Sequence, residues 1–106
     1  MGTELTRRVI RLSPDYGNVW SLWESSTPER PTNYSMKPSD YGLSEELADR
    51  LRRWHQEWDA QRLYEKSWDT PEQQERWNEE GLSIAHQLHS EVRHYADVSY
   101  RGELLA

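Results

Sequence analysis

The sequence predicts an α+β fold: a small antiparallel sheet, made of a β-hairpin and a C-terminal strand, packed by a two-helix antiparallel hairpin. Three observations predict it. Two β-rich stretches, 6–12 and 19–23, flank a tract dense in turn formers. Two later segments, 44–62 and 70–95, open on helix caps and repeat their apolar residues at helical spacing. A last apolar alternation falls at 97–101, just before Gly102. The expected order is β-β-α-α-β in a single domain spanning residues 1–106, with the helices on one face of the sheet.

Each element has a local reason. In Thr6-Arg7-Arg8-Val9-Ile10-Arg11-Leu12, basic and aliphatic residues mix around a β-branched pair, which suits a strand with one wet face. Ser13-Pro14-Asp15-Tyr16-Gly17-Asn18 is a turn tract, and Val19-Trp20-Ser21-Leu22-Trp23 reads as the returning strand. Residues 24–43 hold three of the five prolines and show no periodicity, so they read as a loop of unusual length, the kind that tends to carry function. Within it, Ser39-Asp40-Tyr41-Gly42 echoes Pro14-Asp15-Tyr16-Gly17. Ser44 is a good N-cap with Glu45 and Glu46 behind it, and Leu47, Leu51, Trp54 and Trp58 form a stripe about 60° wide. The stripe fades after Ala60, so this helix ends or bends between Gln61 and Ser67. Thr70-Pro71-Glu72-Gln73 is a capping-box start, followed by Trp77, Gly81, Ile84, Leu88, Val92 and Tyr95 on one face. Glycine inside that stripe costs up to about 1 kcal/mol in helix propensity, which calls for close approach of the first helix or of a bulky Trp.

Composition narrows the function classes. The chain has 106 residues, no cysteine, six Trp and a net charge of −6. Without cysteine there is no thiol nucleophile, zinc ribbon, iron–sulfur cluster or disulfide scaffold. No apolar run approaches the length that crosses a bilayer, and Met1 to Arg8 lacks the apolar region of a secretory signal, so a cytoplasmic location without a membrane is expected. Residues 1–43 are charge-neutral and residues 44–106 hold the entire acidic excess. Such a field repels phosphate backbones and attracts basic proteins, so the expected partner is a protein and not a nucleic acid.

No catalytic signature stands out: there is no phosphate loop, nucleophile elbow or H-E-x-x-H helix. His86 and His89, with Glu91-x-x-His94, have spacings that metal sites use, but the pattern occurs once and the wheel turns those rings toward solvent. No cofactor, metal or catalytic residue is assigned. Arg50, Arg52 and Arg53 scatter around their helix among acids and read as surface ion pairs. Glu72, Glu75, Glu79 and Glu80 lie on successive turns. Dipole complementarity accounts for the first two, while Glu79 and Glu80 lie beyond its reach. Six tryptophans exceed what two helix stripes need. Trp20 and Trp23 cannot both point inward from one strand, and Trp68 falls in the interhelical connection.

The order Asp15-Tyr16-Gly17, Trp20-x-Leu22-Trp23-Glu24, a polar loop, then Gly42-Leu43-Ser44-x-x-Leu47 leading to Leu51-x-x-Trp54-x-x-x-Trp58 resembles a group of small acidic proteins of high-GC actinobacteria, over roughly residues 9–100. In size, charge and lack of catalytic motif the chain is also similar to immunity proteins of bacterial toxin systems, which bind one toxin domain and block it. That resemblance implies a non-enzymatic inhibitor of a cognate, basic toxin. Glu72, Glu75, Glu79 and Glu80 would steer the approach, with Trp68 and the 24–43 loop, including Tyr34, as anchors. The alternative is a ligand-binding protein or enzyme with a pocket between sheet and helices and a histidine such as His55 or His94. A homodimer joined through an edge strand is a third reading.

Overall fold

The computed structural model describes residues 7–63 and 70–105, apart from the side chains of Arg62 and Leu63. It is a two-layer α+β arrangement. A five-stranded sheet runs in the order β3-β2-β1-β4-β5, with β1 Arg8–Leu12, β2 Leu22–Glu24, β3 Tyr34–Met36, β4 Ala96–Tyr100 and β5 Glu103–Leu104. Helices α1, Glu45–Leu63, and α2, Pro71–Val92, cover one face. The α+β class, the β1–β2 hairpin and the paired helices are as the sequence predicts.

Four details differ from expectation, each for a physical reason. The second strand occupies 22–24 and not 19–23, because buried Asn18 prolongs the turn. Its side chain accepts from the Trp20 amide (3.0 Å) and donates to the Leu22 carbonyl (2.6 Å), while Ser21 takes a left-handed φ of 57°. The segment 24–43 is not all loop: it holds β3 and a 3-10 turn at Pro38–Asp40. Three residues pairing at a sheet edge need only backbone bonds and leave no periodic trace. The sheet is mixed and not wholly antiparallel, since β4 runs parallel to β1 in the register Arg8↔Ala96 to Leu12↔Tyr100, and β5 adds a further antiparallel edge. Finally, α2 ends at Val92 and not near 95. There Arg7 donates to the carbonyls of Arg93 (2.7 Å) and Ala96 (2.9 Å), placing a cation at the negative end of the helix.

Strand alternation sends Ile10, Leu12, Leu22, Val98 and Tyr100 to the helix side, where they meet Leu47, Leu51 and Trp54 of α1 and Ile84, Ala85, Leu88 and Val92 of α2 in one core. The helices run antiparallel. Trp54 and Trp77 stack with ring centroids 4.2 Å apart and planes 6° from parallel. Each indole donates to the other residue's carbonyl, at 2.9 and 3.0 Å, so the pair buries two large rings with no polar atom left over. Gly81 lies against this pair, as its place in the stripe required: a Cβ there would sit 2.6 Å from Trp54 Cζ2 and closer still to the Tyr100 hydroxyl.

Candidate partner-binding surfaces

The acidic surface is built on α2. Thr70 caps the helix by accepting from the Gln73 amide (3.1 Å), and Pro71 follows at the first helical position. The cap fixes the phase, and the buried stripe of Trp77, Gly81, Ile84 and Leu88 then turns Glu72, Glu75 and Glu79 outward. All three are exposed, and none forms an ion pair with a described residue. Glu80 is also exposed but is held by Arg50 at 2.9 Å. Arg50 donates in addition to Ser83 (3.0 Å) and Gln87 (2.7 Å), which ties the two helices along one polar seam. The four glutamates thus share a helix but differ in their surroundings, and three have no ion-pair partner among the described residues.

Tyr34 lies elsewhere. It opens the edge strand β3 with φ of 67° and is half exposed. Its ring packs on Trp23 with centroids 5.1 Å apart, and the Arg11 guanidinium sits 5.3 Å from the ring centroid while donating to its hydroxyl at 2.9 Å. Trp23 and Arg11 face each other across the β1–β2 register on the side of the sheet that no helix covers. Tyr34 and the α2 glutamates therefore occupy opposite faces of the two-layer fold. Trp68, the remaining expected anchor, lies outside the described residues. The expectation that Trp20 and Trp23 diverge is met: Trp20 packs against the core and Trp23 turns to the open face, its indole donating to the Ser13 carbonyl (2.8 Å).

The other titratable candidates have structural duties. Glu91 does not pair with His94. It accepts from the Ser44 amide (2.8 Å) and hydroxyl (2.7 Å), setting a carboxylate at the positive end of α1. His86 and His94 are exposed, and no cluster of three metal-ligating side chains occurs among the described residues. Arg50 pairs with Glu80, and Arg52 and Arg53 both pair with Asp49, as the scatter of these arginines around α1 implied. His55 is buried with Nδ1 unpartnered and its ring against Trp58. Burial lowers its pKa from 6.5, with Asp59 opposing.

One cluster went unrecognised in the sequence. Arg8 grips buried Glu24 through Nε (2.9 Å) and Nη2 (2.7 Å), Tyr41 donates its hydroxyl to the same carboxylate (2.7 Å), and the guanidinium lies between the Tyr41 and Tyr95 rings. Burial alone would raise the Glu24 carboxyl, but the bonds from Arg8 and Tyr41 outweigh it and hold the group below its ordinary 4.5. Burial and the neighbouring carboxylate push the Tyr41 phenol well up. The only signal in the sequence was a charged residue at an inward position of a three-residue strand.

Comparison with known families places the chain more closely than its surface does. A family model described as Serratia CdiI immunity protein-like matches residues 8–103, from the first residue of β1 into β5. The chain belongs to this family. Membership of the CdiI-like immunity proteins points to toxin neutralisation, a binding role in place of a catalytic one, with a toxin protein as the partner. It also supports the likeness to immunity proteins that size and charge implied. No curated protein matches the chain. Among the described residues of this CdiI-like protein, no helix is long and apolar enough to cross a membrane.

Proposed function

We propose that this CdiI-like immunity protein neutralises one cognate, basic toxin domain in the cytoplasm by binding and occluding it, with Glu72, Glu75 and Glu79 of α2 steering the approach. The observation that carries this reading is the run of three exposed carboxylates along one helix face with no described counter-ion, in a chain of net charge −6. Charge of one sign on a rigid helix raises the rate of encounter with a basic partner and disfavours acidic ones. Glu80 contributes less, because Arg50 already holds it. Tyr34 lies on the opposite face of the fold from these glutamates, so its anchoring role, like that of Trp68, is not part of the steering contact and stays an expectation. The mechanism needs no cofactor, metal or catalytic residue in this chain. The pocket-based alternative has less support: Ile10, Val98, Ile84 and Leu88 are fully buried between sheet and helices, and His94 is exposed.

The test is the rate at which the cognate toxin domain, sought by co-purification from the native host, associates with this protein. Double reversal, Glu75→Lys with Glu79→Lys, should slow association by about tenfold at low salt, with much less effect on dissociation. The melting temperature should hold, because both side chains are exposed. An unchanged association rate overturns the electrostatic part of the reading.

A further inference from the structure

We propose that the uncovered face of the sheet is a second docking surface, which receives an acidic, carboxylate-bearing segment of a protein partner on the side opposite the acidic helix face. Beside Trp23 and Tyr34 the sheet holds a cleft of about 370 Å³, whose lining includes Arg11, Ser99, Arg101 and Asp15. Arg11 and Arg101 each lack an acidic ion-pair partner among the described residues, as do Arg30, Arg76 and Arg93, but only these two line a common cleft. Asp15 offsets them only in part, and its Oδ1 already accepts from the Tyr16 amide at 2.7 Å.

Backbone conformation marks the same place. Among the described residues, Tyr34 at 67° lines this cleft with a positive φ that no hairpin turn requires, whereas Arg101 at 54° belongs with Gly102 to the two-residue turn that joins β4 to β5. The left-handed region disfavours side chains with a Cβ, and bulky residues there are uncommon enough to suggest a function. Folding gains little in return, since Tyr34 is 49% exposed and outside the core. What the strained conformation does achieve is to set the ring against both Trp23 and Arg11. The indole is pinned by Ser13 and the guanidinium by the Tyr34 hydroxyl, so the three side chains are preorganised. Trp, Tyr and Arg are also the residues most enriched at binding hot spots.

The chemistry of the occupant follows from the free donors. Arg11 spends one N–H on Tyr34, which leaves the rest of its fork for a carboxylate, the group that a guanidinium matches in a bidentate way. A nucleic acid fits less well. The Tyr34 ring already has Trp23 and Arg11 against it, where a base would have to stack.

The experiment uses the full-length ¹⁵N-labelled protein titrated at low salt with hexaglutamate, hexalysine and hexathymidylate. Hexaglutamate should shift the Trp23 indole N–H and the Arg11, Ser99 and Arg101 amides, and the Arg11→Ser, Arg101→Ser double variant should weaken it by about tenfold. Tyr34→Gly suits the left-handed backbone, so it should lose hexaglutamate binding while its melting temperature holds or rises. The inference is overturned if the shifts fall outside the cleft, if hexathymidylate binds as well as hexaglutamate, or if Tyr34→Gly keeps full affinity. Since no toxin enters the titration, failure of the proposed immunity partner leaves this result standing, and the reverse also holds.

Discussion

At Gly81 two opposing effects can be weighed in one residue. Alanine would gain up to about 1 kcal/mol in helix propensity, but its Cβ would meet Trp54 Cζ2 at 2.6 Å and Tyr100 Cζ at 2.8 Å. Overpacking of that kind costs about 1–3 kcal/mol, so Gly81→Ala should lower the urea midpoint. A raised midpoint would show that the two rings yield. Buried titratable groups set the pH response in the same residue-by-residue way. His55 is held below 6.5 by burial, so its contribution is complete above that value and is lost as the pH falls through the folded-state pKa. Glu24, held below 4.5 by Arg8 and Tyr41, repeats this at lower pH. The melting temperature should therefore fall in two stages on acidification, the first starting below 6.5 and absent in His55→Gln. A flat profile between neutral pH and the carboxylate range would contradict the first stage. Tyr41→Phe removes a hydrogen bond from a buried carboxylate and should cost about 1–3 kcal/mol, measured by urea titration at neutral pH.

Among the elements, the helices were the most legible. Their caps and stripes depend on contacts within a few residues, and Ser44 and Thr70 accept from the amides three residues on, as their positions implied. The strands were less legible. Asn18 displaced the start of β2 through hydrogen bonds that composition does not reveal, and β3 is too short for its alternation to register. Ser44 shows where local reading stops. It caps α1 as foreseen, but it also donates to Glu91 of α2, so one side chain joins the two helices. Ser44→Ala should cost about 0.5–2 kcal/mol, and a double-mutant cycle with Glu91→Gln should show coupling of at least about 0.5 kcal/mol. Additive effects in thermal or urea unfolding would reduce the pair to proximity.

For the whole molecule, the two-layer fold separates charge. Glu72, Glu75 and Glu79 look out from the helices, while Arg11 and Arg101 line the open side of the sheet. If the helix face steers a basic toxin, raising ionic strength from 0.01 to 0.15 M, which shortens the screening length from about 30 to about 8 Å, should slow association of the native protein far more than that of the Glu75→Lys, Glu79→Lys variant. Equal salt slopes would place the steering charge elsewhere. The sequence by itself determined the α+β class, both helices, the first hairpin, the need for close approach at Gly81 and the acidic character of α2. Each of these follows from propensity, periodicity or charge read over a few neighbouring residues. Tertiary structure alone decided that β4 pairs in parallel with β1, that Arg50 neutralises Glu80, that Glu91 serves Ser44 and that Tyr34 joins Trp23 and Arg11 across the molecule from the acidic helix. Those outcomes depend on which distant backbone and counter-ion arrive at each residue, and chain closure, not local preference, brings them there.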